Sequence, residues 1–368
     1  MNSSDKNNSY KEPRLRNTLK EDFKTGGFFR TFRRDIKDLK EYYISEENHK
    51  RLSQMNLIKR VFVFSWWLLK SMILKLTPFR RIVLVTGILF LIVRFNVSSD
   101  GNETSANSYL FGVLLILFLL MLELKDKLLA RDELEAGRQI QNALMPEELP
   151  QFSGWSLMLF TRSANEVSGD MVDFIRIEPG KAGLLIADVA GKGLKAALLT
   201  TKLQATVRSF VEDMEIEKLV SKVNDIFYRD SLRNIFASLL YLEISENSGQ
   251  LKYVNAGHLP PLLIGMNGLK EMSKGGAALG LMKDINYYEN SLELNSGEFL
   301  FAYSDGLTEA RNESGFFYGT ERLINLLSHL KNINSAKEIG DAVIADMDKF
   351  SGDFSNNDDL SILIVKRI

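Results

Sequence analysis

The sequence has no cysteine and only three histidines, His49, His258 and His329, which lie far apart in the chain. The first absence excludes disulfide frameworks, zinc–thiolate sites and a cysteine nucleophile. The second argues against hydrolase chemistry that leans on several imidazoles. Residues 1–60 lack the short basic start and small-residue cleavage site of a signal peptide. No apolar run reaches the roughly 20 uninterrupted residues that a membrane-spanning helix needs.

What is present is an ordinary globular composition, 45% hydrophobic and 25% charged, with the charge unevenly spread. The net charge is −1, yet residues 1–81 carry 19 Lys+Arg against 9 Asp+Glu, leaving the remainder strongly acidic. A basic N-terminal region suits an anionic membrane face or nucleic acid, and the residues that follow favour the membrane. After a basic, partly disordered tail (1–60), residues 61–77 (VFVFSWWLLKSMILKLT) are apolar but interrupted by Lys70 and Lys75, as in a helix lying in the interface. Two further stretches predict marginal spans at about 80–97 and 106–124, making 61–124 a membrane region. Arg80 and Arg81 before them, and Lys125, Lys127 and Arg131 after them, place both ends in the cytoplasm and the polar loop 98–107 outside. The expected location is therefore the inner membrane, with two spans and a cytoplasmic C-terminal domain. Helices buried in a soluble domain are the competing reading.

Residues 125–150 read as a linker helix ended by Pro146 and Pro150. Leu124, Leu128, Leu129, Leu134, Ile140 and Leu144 form one apolar stripe. That stripe suits a homodimer seam and equally suits packing on the chain's own domain. Residues 151–368 read as one α/β domain, with strands near 155–161, 171–177, 182–189, 236–244, 251–256, 298–303 and 360–366. Helices are expected near 193–213, 215–231, 319–330 and 336–350. Consecutive strands without intervening helices argue for antiparallel sheets in layers rather than a doubly wound parallel sheet.

One pattern recurs in this domain: an apolar strand adjoining an Asp at a turn. It occurs at Ser168-Gly169-Asp170, Asp188-Val189-Ala190-Gly191, Ser304-Asp305-Gly306 and Asn357-Asp358-Asp359. Carboxylates gathered at strand ends repel one another unless a cation sits among them. In a chain without cysteine the natural filler is a hard divalent ion with oxygen ligands, Mg²⁺ or Mn²⁺. Two such ions can bind a phosphate and generate hydroxide. Ala190-Gly191-Lys192-Gly193 is not a P-loop, because the upstream Gly and downstream Ser or Thr are missing. The Asp turns also lack the Asp-Thr/Ser-Gly order of aspartic proteases.

The stretches NEVSGDMVDF (165–174), ADVAGKGLKAAL (187–198), FASLLYLEI (236–244), YVNAGHLPPLL (253–263), FAYSDGLTEARN (301–312) and NDDLSILIV (357–365) resemble the PPM (type 2C) protein phosphatases, and within them the bacterial SpoIIE-like branch. The resemblance implies a four-layer α-β-β-α sandwich of two antiparallel sheets flanked by helices. It also implies hydrolysis of phosphoserine and phosphothreonine by water activated between two Mn or Mg ions. Carried over by motif, Asp188 would bridge both metals. Asp170 and the carbonyl of Val189 would complete one shell, and Asp305 and Asp358 would hold the other. Asp188 and Asp305 are thus the residues on which catalysis would turn. Asp173, Gly191, Gly193, Asn255, His258 and Asp359 fall in the same motifs as supporting residues, with His258 fixing a loop in preference to acting as a general acid. The partner implied is a phosphorylated STAS-type (anti-anti-sigma) regulatory protein, with activity tuned by the N-terminal membrane region. A nucleic-acid partner is not expected. The competing readings are a pseudophosphatase that binds without catalysis and a membrane scaffold.

Overall fold

The computed structural model describes residues 51–52, 55–92, 97–99, 102–104, 108–146, 148–230, 235–246, 248–265, 268–330, 333–352 and 358–368. They fall into two units, one ending at Asp126 and one beginning at Lys127. Most of the basic tail expected at 1–60 lies outside the described residues.

The first unit holds α1 (Leu57–Lys75), α2 (Pro78–Ile92), a short antiparallel pair β1 (Val97–Ser99) and β2 (Asn102–Thr104), and the start of α3 (Ser108–Leu144). Pro78 opens α2, where its missing amide costs no helical hydrogen bond. α2 and α3 approach closely because neither has a side chain at the contact: a Cβ on Gly112 would lie 2.8 Å from the carbonyl oxygen of Gly87. Phe90 and Phe111 meet edge to face at 5.0 Å. Arg80 pairs with Glu123 at 2.9 Å and Asp126 at 2.5 Å. The β1–β2 pair stands where the sequence suggested only a loop. The expected spans at 80–97 and 106–124 each take in residues outside the described set. Among the described residues no helix is long and apolar enough to cross a membrane.

In the second unit α3 ends at Leu144, just before Pro146. Two antiparallel five-stranded sheets follow. The first runs β10 (Asn290–Glu293), β7 (Gln250–Ala256), β6 (Ala237–Ser245), β5 (Lys181–Val189), β4 (Asp170–Glu178). The second runs β3 (Trp155–Arg162), β12 (Leu360–Arg367), β11 (Phe299–Tyr303), β8 (Leu262–Gly265), β9 (Gly268–Glu271). Helices α4 (Leu194–Phe210) and α5 (Ile216–Asp230) cover the first sheet; α7 (Thr320–His329) and α8 (Ala336–Ser351) cover the second.

Strand alternation creates the layers. Successive side chains on a strand point to opposite faces, so β5 sends Leu184 and Ile186 between the sheets and Leu185, Ala187 and Val189 toward α4 and α5. In β12, Leu363 and Val365 face the inter-sheet core while Leu360, Ile362 and Ile364 face α7 and α8. Both central strands are apolar on both faces because each is sandwiched, and the domain has three apolar layers.

A carboxylate cluster at the joined ends of two sheets

Asp170 opens β4 and Asp188 stands next to last in β5, and the antiparallel register sets them directly opposite each other. The Val189 amide donates to the Gly169 carbonyl at 3.2 Å, closing the end of the ladder. The chain then turns through Ala190–Gly193 into α4. Gly191 and Gly193 both have positive φ, 116° and 71°, which an L side chain rarely adopts, so the turn needs glycine at both places. On the inner face of α4, Thr200 donates to the Gly169 carbonyl at 2.7 Å. The first sheet thus supplies two carboxylates on a well-braced end.

The second sheet supplies the others. β11 runs into Ser304, and Asp305 begins the one-turn helix α6 (Asp305–Thr308). Asp358 and Asp359 lead into β12, the neighbour of β11. Gly306 has an ordinary φ; what it provides is closeness, because a Cβ there would collide with the Asp359 carbonyl. The turn expected at Asp305-Gly306 is therefore a helical turn pressed against another strand end. Asp359 links the two sheets: its carboxylate accepts from the Ala164 amide at 2.7 Å, the Gly169 amide at 2.7 Å and the Ser168 hydroxyl at 3.0 Å. With those acceptor sites occupied, Asp359 holds the 164–169 loop in place.

Burial and neighbouring negative charge raise three of these carboxyls, Asp170, Asp188 and Asp305. Burial, then the facing Asp188, pushes the Asp170 carboxyl well above the usual range. Burial, then Asp305, raises Asp188 to about 6, and burial followed by Asp358 raises Asp305. Among the described residues no three carboxylate or imidazole groups already stand at the spacing of a formed metal site. The donor set nevertheless fits hard divalent cations: all the side-chain donors are oxygens, and the buried Oδ2 of Asp170 has no hydrogen-bond partner. A buried acceptor left without a donor costs about 1–3 kcal/mol, which a bound cation would offset.

Other motif residues stand apart from the cluster. Asp173 is fully buried and grips α4: Arg208 donates to it twice, at 2.8 and 2.7 Å, and Gln204 once at 3.1 Å. Asn255 closes its own turn, accepting from the His258 amide at 2.8 Å and donating to the His258 carbonyl at 3.1 Å. His258 is buried, and its Nδ1 lies 2.8 Å from the Ser238 hydroxyl. Burial lowers its pKa to about 4, so at neutral pH it is an uncharged part of the wall.

Several residues near the cluster were not among the expected site residues. Gln141 of α3 hydrogen-bonds both backbone groups of Ser168, each at 3.0 Å, two residues before Asp170. Gln204 donates to the Leu144 carbonyl at 3.0 Å as well as to Asp173. The partners are distant in sequence, so no local pattern marks them. Lys192 lies within the 187–198 motif, which by itself gives no sign of a partner for its ammonium.

Two antiparallel sheets flanked by helix pairs, joined at one end by acidic side chains, define the PP2C type of phosphatase fold. The chain belongs to the Stage II sporulation protein E (SpoIIE) family, whose sequence profile matches residues 178–368, just over half of its length. Homologues in this family are serine/threonine phosphatases, and metal dependence is typical of it. The chain is 29% identical over 293 residues to Protein IcfG of Synechocystis, covering 71% of this chain and 45% of IcfG. It is 25% identical over 240 residues to Phosphoserine phosphatase RsbU of Bacillus subtilis, covering 64% of this chain and 70% of RsbU. The fold resembles the PP2C domain of SiaA from Pseudomonas aeruginosa, with a TM-score of 0.57 and 19% identity over 66% of this chain and 98% of that one.

Proposed function

We propose that this chain is a Mg²⁺- or Mn²⁺-dependent phosphatase that hydrolyses phosphoserine or phosphothreonine on a regulatory protein of the STAS type. The observation that carries the reading is the Asp170–Asp188 pair, set opposite each other by strand register and facing Asp305 and Asp358 from the other sheet. Asp170, Asp188 and the carbonyl of Val189 would hold one ion; Asp188, Asp305 and Asp358 would hold the second. Such a pair of ions supplies a hydroxide nucleophile and neutralises phosphate charge. The protein's own part is to keep the carboxylates in place, through Asp359 across the sheets and through Thr200 and Gln141 on the 168–170 loop. The STAS-type substrate follows the family resemblance, and the similarity to a protein named a phosphoserine phosphatase supports the reaction.

The proposal extends to the N-terminal unit as a membrane-associated regulator. Its support is chemical: Phe62 is 75% exposed and Met121 69%, and Trp66 and Leu114 are also exposed, beside a basic N-terminal sequence that suits anionic headgroups. Two spans with both ends in the cytoplasm is the arrangement that the charge distribution favours. Homodimerisation through α3 is supported by the exposure of Leu124, Leu128, Leu129 and Ile140 on that helix. Gln141, on the same helix and bonded to Ser168, gives such a dimer a direct hold on the Asp170 loop.

The test is phosphate release from a phosphorylated STAS protein by the full chain, with Mn²⁺ and with EDTA. Turnover should require Mn²⁺ and fall more than about 100-fold in Asp305→Asn, while the variant keeps its thermal midpoint. Mn²⁺-independent turnover, or full activity in Asp305→Asn, sinks the reading. A folded chain with no turnover on any phosphoprotein favours the binding-only alternative.

A further inference from the structure

The loop between β5 and α4 carries one charged side chain, Lys192, flanked by the two glycines of positive φ. An ideal Cβ at either glycine would meet nothing within 4 Å, so the loop lies open on that side. The Lys192 ammonium lies 3.1 Å from Oδ2 of Asp358. It is also close enough to Asp305 to oppose the rise in that carboxyl's pKa. Both side chains of the pair are half exposed, 57% for Lys192 and 43% for Asp358. Lys192 therefore leans from the first sheet's loop onto the carboxylates of the second sheet, where like charges are crowded and a positive charge is worth most.

We propose that Lys192 is a tethered internal cation that neutralises Asp358 in the metal-free protein and competes with the divalent ion for that carboxylate. The role rests on the reading that Asp305 and Asp358 take a divalent ion. A carboxylate oxygen shared with an ammonium must give up that contact before it can serve as a full ligand. An exposed pair of this kind is weak, so the ion can displace the ammonium, and the side chain is long and flexible enough to swing out to solvent. Lys192 would thus stabilise the metal-free cluster, lower the affinity of one ion and leave the other, at buried Asp170, largely unaffected. The two ions of one site would then bind with unequal affinity for a reason built into the loop.

The experiment is calorimetric titration of the full chain with Mn²⁺, together with thermal unfolding in EDTA and in saturating Mn²⁺. The variants are Lys192→Met, Lys192→Arg and Lys195→Met. Lys195 is an exposed lysine at the start of α4 and controls for a general loss of positive charge. Lys192→Met should bind the weaker ion about 3–5-fold more tightly, the scale of an exposed ion pair. Its unfolding midpoint should drop in EDTA and match the wild type in Mn²⁺. Lys192→Arg, which keeps the charge, should not bind more tightly than the wild type. Equal tightening in Lys195→Met would reduce the effect to long-range charge and overturn the proposal. So would unchanged or weaker binding in Lys192→Met, or a midpoint lowered equally with and without Mn²⁺. A wild-type chain that takes up no Mn²⁺ would overturn the metal reading itself, and the role of Lys192 with it.

Discussion

The two units spend their apolar residues in opposite ways. In the C-terminal unit Leu184, Ile186, Phe301 and Ile364 are fully buried, each in one of three layers. In the N-terminal unit Phe62, Trp66, Ile92, Leu110 and Met121 are exposed, although those helices are at least as apolar in sequence. Apolar side chains leave water only when a second surface is offered, and α1, α2 and the start of α3 form too thin an assembly to bury all their faces on one another. Among the described residues, the helices of the first unit leave much of their apolar surface uncovered, and the proposed lipid or protein partner rests on that exposure.

The contrast can be broken by matched substitutions. Phe301→Ala should cost about 3–5 kcal/mol, because it leaves a cavity between the second sheet and its helices; urea unfolding of the full chain measures this. A loss below about 1 kcal/mol would mean that the layer is loosely packed. The next largest effect is acidic. The unfolded His258 imidazole titrates near 6.5 and the folded one near about 4, so as pH falls the unfolded chain takes up the proton first. Stability should therefore decline below pH 6.5, by about 2 kcal/mol between pH 7 and pH 5, and level off below about 4. His258→Gln should flatten that limb of the pH curve, and an unchanged limb would place the imidazole in contact with water. The smallest effect on folding belongs to the first unit. Phe62→Ser with Trp66→Ser should shift unfolding by less than about 0.5 kcal/mol, yet abolish co-sedimentation with anionic vesicles. If that pair of substitutions unfolds the protein instead, those residues belong to a core and the contrast between the units fails.

The strands were legible because the sandwich imposes a simple rule on them. Predicted 182–189 became Lys181–Val189 and predicted 360–366 became Leu360–Arg367, since a strand with apolar residues on both faces, bounded by turns, has few alternatives. The short β9, Gly268–Glu271, escaped notice because it is an edge strand of mostly exposed residues. The helical turn at Asp305–Thr308 escaped because Asp-Gly reads locally as a turn, and only packing against Asp359 makes it helical. In the first unit, apolar length suggested spans, while the structure offers helices whose apolar faces remain uncovered and none long and apolar enough among the described residues to cross a bilayer.

Local chemistry along the chain was enough to name candidates for hard-cation ligands: acidic side chains at the ends of apolar strands, in a chain without cysteine and with few histidines. Only the tertiary structure decided which of them meet. Asp170 faces Asp188 through strand register, Asp359 turns away to hold the 164–169 loop, Asp173 is committed to Arg208, and Lys192 reaches across to Asp358. Those choices depend on residues as much as about 190 positions apart being brought together when two sheets stack, and no local pattern carries that information.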